Sequence, residues 1–194
     1  MKKKHRTDYI NNDEFYDALV EYLDACDKAD LAGEEQPRIP EFLGHCFLLL
    51  AKNVGKASNF SQYTFLEEMQ SDSVLNCVKY IRNFKSHRLD PETGELIKNR
   101  PFSYFTQYVI NTFKQRIKDE RKNMYSRYKT YQNFQIEEQL AGQSGACPPE
   151  LNDISNQYIS SYERDMEQEK ERKRLNRLKP GVTLSDFYEE DVYQ

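Results

Sequence analysis

The sequence predicts an all-α fold in which a helical domain is followed by a flexible linker, a charged helix and an extended C-terminal tail. Apolar residues recur at intervals of three and four along most of the 194 residues, which is the spacing of one helix face. Hydrophobic residues make up 38% of the chain, and the mean hydropathy of -0.92 is typical of a modest core. The longest apolar run, Phe42 to Ala51, is shorter than the roughly 20 residues that span a membrane.

Three helices are predicted in the first half of the chain. Asn11 and its polar neighbours offer N-cap chemistry to the first helix, whose apolar residues share one face. A Gly- and Pro-containing break follows at 33–40, and further helices are expected at about 40–57 and 61–84. The expected core residues of the first and third helices are Phe15, Leu19, Tyr22, Leu23, Phe65, Met69, Val74, Leu75, Val78 and Ile81.

The second half of the chain begins with a predicted loop at 85–101, where Pro, Gly and other turn-forming residues are concentrated. A long fourth helix is expected from about Pro101 to about Phe134. Gly and Pro then predict a linker before a highly charged helix. The expected organisation is a helical domain at 1–135, a linker at 136–157, a charged helix at 158–179 and a tail at 180–194.

Opposite charges are separated along the chain. Between Asp8 and Glu41 there are 11 acids and two bases, whereas between Lys79 and Lys129 there are 13 bases and 5 acids. The last 13 residues carry four acids and no base. This separation predicts different partners for different segments, with a polyanion such as DNA opposite the basic middle. The alternative is ordinary solvated charge on helix faces.

Cysteine and histidine usage favours neither disulfides nor a metal site. The cysteines Cys26, Cys46, Cys77 and Cys147 are far apart and form no C-x-x-C pair, so reduced structural thiols in a cytosolic protein are expected. The three histidines are also scattered, so the sequence predicts no metal and no cofactor. Because the motifs of phosphate-binding loops, serine hydrolases and zinc proteases are absent, a binding protein is expected rather than an enzyme.

The fourth helix carries two different faces. At about 100° per residue, an arc of roughly 140° with Phe105 at its edge predicts the core face, and it also holds Val109, Phe102, Phe113, Thr106, Ile117 and Ile110. The opposite flank is aromatic, then polar, then cationic, which suits base stacking, base-edge contacts and phosphate contacts in that order. The alternative is a pair of tyrosines on the half-exposed face of an ordinary bundle. The residues of this flank are Tyr104, Tyr108, Asn111, Thr112, Gln115, Lys118 and Lys122.

Three segments resemble the second conserved region of bacterial sigma factors and the helix that precedes it. EEMQSDSVLNCVKYIRNF, at 67–84, is similar to the polymerase-binding helix of that family, and LLLAKNVGKASNF, at 48–60, to the helix before it. PFSYFTQYVINTFKQRIKDERK, at 101–122, is similar to the helix that melts promoters and reads the -10 element. The opening INNDEFYDALVEY and the ending LSDFYEEDVYQ resemble those of late-transcription sigma factors of T-even-like bacteriophages.

The resemblance implies promoter recognition in the cytoplasm of an infected bacterial host. The implied partners are promoter DNA, the phage sliding clamp and host core RNA polymerase, through the clamp helices of its largest subunit. Whether a separate late coactivator is required stays open. The matching positions are Glu68, Ser71, Asp72 and Lys79 for polymerase, Phe102, Phe105, Tyr108, Thr112, Gln115 and Arg116 for DNA, and Leu184, Phe187 and Tyr188 for the clamp.

Exposure and resemblance together rank Tyr108 first among the DNA-contacting aromatics, then Phe105, then Tyr104. Val109 stands where the family has the second of two tryptophans, which predicts a weaker cap on the upstream duplex. Alternatives remain: a coactivator that binds polymerase and clamp without reading DNA, a small nucleic-acid-processing enzyme, or a generic helical structural protein. The tail could also be a disordered solubilising segment, and the charged helix a solvated spacer.

Overall fold

A computed structural model describes residues 10–90, 94–141 and 149–178. The prediction of an all-α fold is confirmed, since the described residues form five α-helices, one short 3-10 helix and one two-stranded hairpin. They divide into two compact units, one ending at Lys118 and the other beginning at Asp119. The elements are α1 (Asn12–Ala32), α2 (Glu41–Gly55), α3 (Leu66–Lys79), the 3-10 helix Ile81–Asn83, β1 (His87–Leu89), β2 (Leu96–Lys98), α4 (Pro101–Leu140) and α5 (Pro149–Leu178).

Helix α1 begins with the predicted cap. The Asn11 side chain accepts a hydrogen bond from the backbone N–H of Asp13 at 3.1 Å, and its Nδ2 donates to Glu14 Oε1 at 2.9 Å. At the other end Gly33 has φ = +70°, a left-handed conformation that glycine adopts without steric cost. The helix therefore stops there, and the chain turns towards α2.

The core of the first unit is built around aromatic rings from three helices. Phe15 of α1, Phe47 of α2 and Phe105 of α4 have ring centroids 4.8–5.9 Å apart, and all are almost completely buried. Gly55 lets the end of α2 approach α3, because a Cβ there would lie 2.8 Å from the Gln70 side chain. These contacts hold α3 and the start of α4 against a common core.

Most of the predicted core residues are buried or partly buried, but Leu75 is a correction. Phe15, Leu19 and Met69 are fully buried, whereas Leu75 keeps 64% of its surface exposed. Met69 and Cys77 mark the buried face of α3, and Leu75 lies on the opposite side of the helix. Counting Leu75 as a core residue was wrong because the apolar stripe of this helix is narrower than the sequence pattern.

Two boundaries of the first unit also differ from the prediction. The third helix, expected at 61–84, begins only at Leu66 and ends at Lys79, because turns precede it and Tyr80 leaves the helical conformation. The segment predicted as a loop at 85–101 contains the β1–β2 hairpin, in which Leu89 pairs with Leu96. A three-residue strand is too short to leave an alternating pattern that sequence reading can detect.

The second unit is an antiparallel pairing of the later part of α4 with α5. Ser155 and Ile159 of α5 are buried, while the remaining contacts are half-exposed tyrosines, ion pairs and amides. Along the pair, residues of increasing number on α4 meet residues of decreasing number on α5. These contacts are Arg121–Asp165, Tyr125–Tyr162, Tyr128–Tyr158 and Gln132–Asn156.

Helical residues occupy both ends of the linker that was predicted at 136–157. Helix α4 continues six residues past the expected end at Phe134, to Leu140, and α5 begins at Pro149 rather than at 158. The Tyr125–Tyr162 stack, with centroids 4.5 Å apart, packs the earlier part of α5 against α4. The later residues 170–176 are exposed, so the alternative of a solvated spacer stays open for them. The predicted linker is therefore longer than the interval between the two helices, and residues 142–148 of that interval lie outside the described residues.

Three of the four cysteines are buried in the core of the first unit, as free thiols. Burial raises the pKa of Cys46 to about 11 and that of Cys77 to about 12, so both stay protonated at neutral pH. Cys147 lies outside the described residues. No helix in the described part of the chain has the length and apolar character needed to cross a membrane.

Candidate nucleic-acid interface

Helices α3 and α4 meet along a ladder of three side-chain pairs. Tyr80 lies 5.8 Å from Tyr108 between ring centroids, and one turn along Asn76 Nδ2 donates to Thr112 Oγ1 at 3.3 Å. The spacing of four residues on each helix, in opposite directions, makes the two helices antiparallel. One further turn along, Arg116 Nη1 donates to Asp72 Oδ2 at 2.9 Å.

The ladder engages three of the residues predicted to contact DNA. Tyr108, Thr112 and Arg116 were expected to face DNA, and each is half-buried and used in contact with α3. Thr112 also donates its hydroxyl hydrogen to the Tyr108 carbonyl at 3.1 Å, so its side chain is engaged on both sides. Only the outer edges of Tyr108 and Arg116 therefore remain accessible, rather than side chains that extend freely into solvent.

Three tyrosines form a continuous platform at the end of the ladder. The rings of Tyr104 and Tyr108 are 6.0 Å apart, and Tyr80 extends the row with 36% of its surface exposed. Tyr104 packs against Phe84 of the core at 5.3 Å, and the ammonium of Lys79 lies 5.3 Å from the Tyr80 centroid. We call Tyr80, Tyr104 and Tyr108 the tyrosine platform.

Partial burial favours the neutral, hydrogen-bonding phenols of Tyr104 and Tyr108. Burial raises the pKa of Tyr104, and the nearby Cys77 thiol raises it further. Burial likewise raises the pKa of Tyr108, with smaller contributions from Tyr104 and Tyr80. The phenols of Tyr104 and Tyr108 thus remain uncharged across the whole physiological range, which would suit stacking on bases beside phosphate anions.

The prediction that Phe105 contacts DNA is corrected by its burial. It was ranked second among the aromatics that hold an unpaired base, but only 1% of its surface is exposed. Its ring is enclosed by Phe15, Phe47 and Phe84, so a base has no access to it. The helical wheel placed Phe105 at the edge of the core face, whereas three neighbouring helices and turns surround it.

Phe102, in contrast, is more exposed than its position on the helical wheel predicts. It was placed on the core face by angle, yet it is 38% exposed, because it lies in the first turn of α4 beyond the packed core. The resemblance to sigma factors had assigned Phe102 to DNA, and its exposure is compatible with that role. The angular position on a helical wheel does not by itself predict burial for residues at the ends of a helix.

The polar part of the predicted flank lies on the exposed surface of α4. Gln107 Nε2 donates to Asn111 Oδ1 at 2.9 Å, which fixes the orientation of both amides beside Tyr108. Gln115 and Lys118 follow on the same exposed side. Lys122 is exposed too, but it belongs to the second unit.

The predicted polymerase-binding residues share one outward arc of α3. At about 100° per residue they fall within about 100° of each other, opposite Met69 and Cys77. The Ser71 hydroxyl donates to the Glu67 carbonyl at 2.9 Å, and Asp72 is the member held by the ladder. Exposed Leu75 lies in the middle of the arc. We call Glu68, Ser71, Asp72, Leu75 and Lys79 the outer face of α3.

Sequence reasoning missed Tyr80 and Leu75. Tyr80 was read as the continuation of a helix, and its partner Tyr108 lies 28 residues away in sequence. Tyr80 is identified by its place in the antiparallel ladder, and that ladder can be recognised only when the end of α3 is known. Leu75 was assigned to the core, although Glu68, Asp72 and Lys79 at helical spacing around it already indicated an exposed face.

The remaining predicted site lies outside the described residues. Leu184, Phe187 and Tyr188 of the tail belong to that part of the chain. Within the described ranges, no group of three or more His, Cys, Asp or Glu side chains could hold a metal ion. No protein-family model matches the chain, and no curated protein matches it either.

Proposed function

We propose that the chain is a sigma-type transcription factor that binds core RNA polymerase through the outer face of α3 and captures unpaired promoter bases on the tyrosine platform. The observation that carries the proposal is the position of the platform, whose half-exposed rings lie at one end of the α3–α4 ladder. The proposed protein contact and the proposed base-stacking surface thereby lie in the same compact unit. The family resemblance assigns these two tasks to the same two helices.

The physical basis is differential affinity for open DNA. Opening a duplex costs a few kcal/mol per unstacked step, and stacking a base on an aromatic ring contributes about 1–3 kcal/mol. Because a base inside a duplex cannot reach the platform, the rings stabilise only the open state. Asn111 and Gln115 add amide groups at base edges, and Lys118 adds positive charge for phosphates.

Leu75 strengthens the polymerase side of the proposal. An exposed leucine surrounded by Glu68, Ser71, Asp72 and Lys79 has the arrangement of a protein contact, with an apolar centre and a polar rim. Leu75→Ala is expected to weaken polymerase binding while leaving the fold intact, because the side chain is mostly exposed. Fluorescence anisotropy of the labelled chain titrated with core polymerase measures the loss.

Permanganate footprinting tests base capture. Host core polymerase, the chain and a promoter fragment with a TATA-rich -10 element are expected to give reactive thymines. Tyr108→Ala should abolish most of that reactivity, and Tyr108→Phe should retain it, because stacking needs the ring. Tyr63→Ala is the control, since Tyr63 is 36% exposed and packs beside Phe65 at 5.2 Å, outside the platform.

The same experiment separates the alternatives. If polymerase binds but thymines stay unreactive even with the sliding clamp present, the chain is a coactivator that does not read DNA. If polymerase does not bind, the proposal fails altogether. We propose the clamp as the partner of the tail on sequence grounds. Loss of clamp binding in Phe187→Ala, measured with the full chain, tests that assignment.

A further inference from the structure

The second unit exposes apolar side chains near its tip, where α4 ends and α5 begins. Tyr128 of α4 and Tyr158 of α5 contact each other on one side of the helix pair, with ring centroids 5.3 Å apart. Residues three and four apart on a helix are neighbours on its surface, so this side can be followed along both helices towards the tip. The residues that continue it are Tyr131 and Phe134 of α4 and Leu151 and Ile154 of α5. We call these four residues the tip face.

The tip face is a contiguous apolar surface that the described residues leave uncovered. Phe134 is 57% exposed, Ile154 53% and Leu151 39%. Tyr131 is half-buried, and its hydroxyl accepts a hydrogen bond from Gln135 Nε2 at 2.7 Å, which orients the ring. Helical layers are stable when their apolar sides are buried against another layer, and the described part of the second unit supplies only the two helices. Apolar surfaces of this kind mark contacts with proteins or membranes.

The charge around the tip face favours one class of partner. From Thr130 to Glu163 the sequence has five acids and no Lys, Arg or His. Glu138 borders the face on the side of the tip, whereas the cation Arg127 borders only its opposite end. Nucleic acids and anionic membranes need cations for their phosphates, and the tip side has none to offer. The surface therefore suits a protein that presents apolar and cationic side chains together.

We propose that the tip face binds an amphipathic helix of a protein partner, whose apolar side packs on the four residues and whose cationic residues lie towards the acidic tip. Such a helix, packed along the groove between α4 and α5, buries the side that the helix pair leaves open. Its cations complement the acids of the tip and orient the helix on the groove. The inference concerns the second unit alone and does not depend on the proposed function, whose contacts with polymerase and bases lie in the first unit.

A designed peptide of leucine and lysine, with leucine at intervals of three and four residues, supplies the proposed chemistry. Fluorescence anisotropy of the labelled peptide, titrated with the full chain, should show binding that weakens as the salt concentration rises. The same peptide with glutamate in place of every lysine should not bind. Absence of binding by the lysine peptide, or equal binding of the two peptides, would overturn the inference.

Two isoleucines of nearly equal exposure locate the binding site. Ile154→Ser should weaken binding of the lysine peptide at least about fivefold, because Ile154 lies within the tip face. Ile136→Ser is the matched control. Ile136 is 54% exposed, but it lies one turn beyond Gln132, whose contact with Asn156 is on the other side of the helix pair. This variant should bind the peptide as the wild type does, and equal losses in the two variants would contradict the assignment.

Further measurements on the same proteins distinguish other occupants of the tip face. Far-UV circular dichroism checks that both variants fold, which is expected because each side chain is about half-exposed. Analytical ultracentrifugation of the wild type should show a monomer. A dimer that Ile154→Ser dissociates would make a second copy of the chain the occupant and would overturn the assignment to a separate partner. Binding of single-stranded DNA or of anionic lipid vesicles that Ile154→Ser abolishes would overturn the argument from charge.

Discussion

The two halves of α4 are held by different kinds of contact. Between Pro101 and Lys118 the helix buries Phe105, Val109 and Phe113 almost completely against the core of the first unit. Between 119 and 140 none of the described side chains is fully buried, and tyrosines and ion pairs contact α5 instead. One continuous helix thus combines an apolar seam with a polar one, and the two should respond differently to cavities, salt and pH.

The difference has a functional consequence for the first half. Apolar packing fixes the backbone of α4 on its buried side, so the opposite flank can carry half-exposed tyrosines without losing their positions. The second half gains its stability from groups that water and ions can also satisfy, so its free energy of unfolding should be smaller and easier to change. Site-resolved hydrogen exchange can follow the two units separately in the full chain.

The largest effect should come from the apolar seam. Phe105→Ala removes a ring enclosed by Phe15, Phe47 and Phe84, and should lower the free energy of unfolding of the first unit by about 3–5 kcal/mol. Amide exchange in α2 and in the first half of α4 should accelerate accordingly. Phe102→Ala deletes the same side chain where it is 38% exposed, and a comparable loss there would contradict the comparison.

A smaller effect is expected in the polar seam. The rings of Tyr125 and Tyr162 are stacked at 4.5 Å and 23°, and the Arg121 guanidinium lies 6.0 Å from the Tyr162 centroid. Tyr162→Ala should lose about 0.5–1.5 kcal/mol of stacking beyond the area that it buries. Amide hydrogen exchange in α5 should accelerate, while the amides of α2 should stay protected from exchange. Tyr162→Phe keeps the ring, and equal acceleration by both variants would rule out stacking as the cause.

Helical periodicity predicted much of the fold because the apolar seam is encoded locally. Phe15, Leu19 and Met69 are buried as their spacing indicates, and the Asn11 cap is where its side-chain chemistry places it. The late end of α4 and the early start of α5 were missed, because tyrosines and ion pairs that contact another helix look like solvated residues in sequence. Pairing partners distant in the chain leave no periodic signal.

The candidate site was only partly predictable for the same reason. The tyrosine flank was found from angle alone, whereas the burial of Phe105 depends on three other elements that surround it. Tyr80 and the Asp72–Arg116 pair depend on the registry between α3 and α4. A wheel drawn for one helix gives the direction of each side chain, but which of them meet a neighbour is decided by tertiary packing.

The smallest effect should be a pH dependence confined to the polar seam. Glu163 Oε1 accepts hydrogen bonds from Lys129 Nζ at 3.0 Å and from Tyr125 Oη at 2.9 Å. The Lys129 hydrogen bond, followed by that of Tyr125, holds the pKa of Glu163 below its ordinary value. A carboxyl with a depressed folded-state pKa stabilises the fold above its unfolded pKa, about 4.3, and loses that contribution as the pH falls through the folded value.

In the wild type, the protection of α5 amides against hydrogen exchange, corrected for intrinsic exchange rates, should therefore decrease as the pH is lowered below about 4.3. Glu163→Gln should be less protected at pH 6 and should lack this decline, because the neutral amide cannot lose a charge. Glu167→Gln, one turn further along α5, should retain the wild-type decline. If all three proteins titrate alike, acid destabilises α5 through other carboxyls, and the polar seam depends on its tyrosine rings more than on its ion pairs.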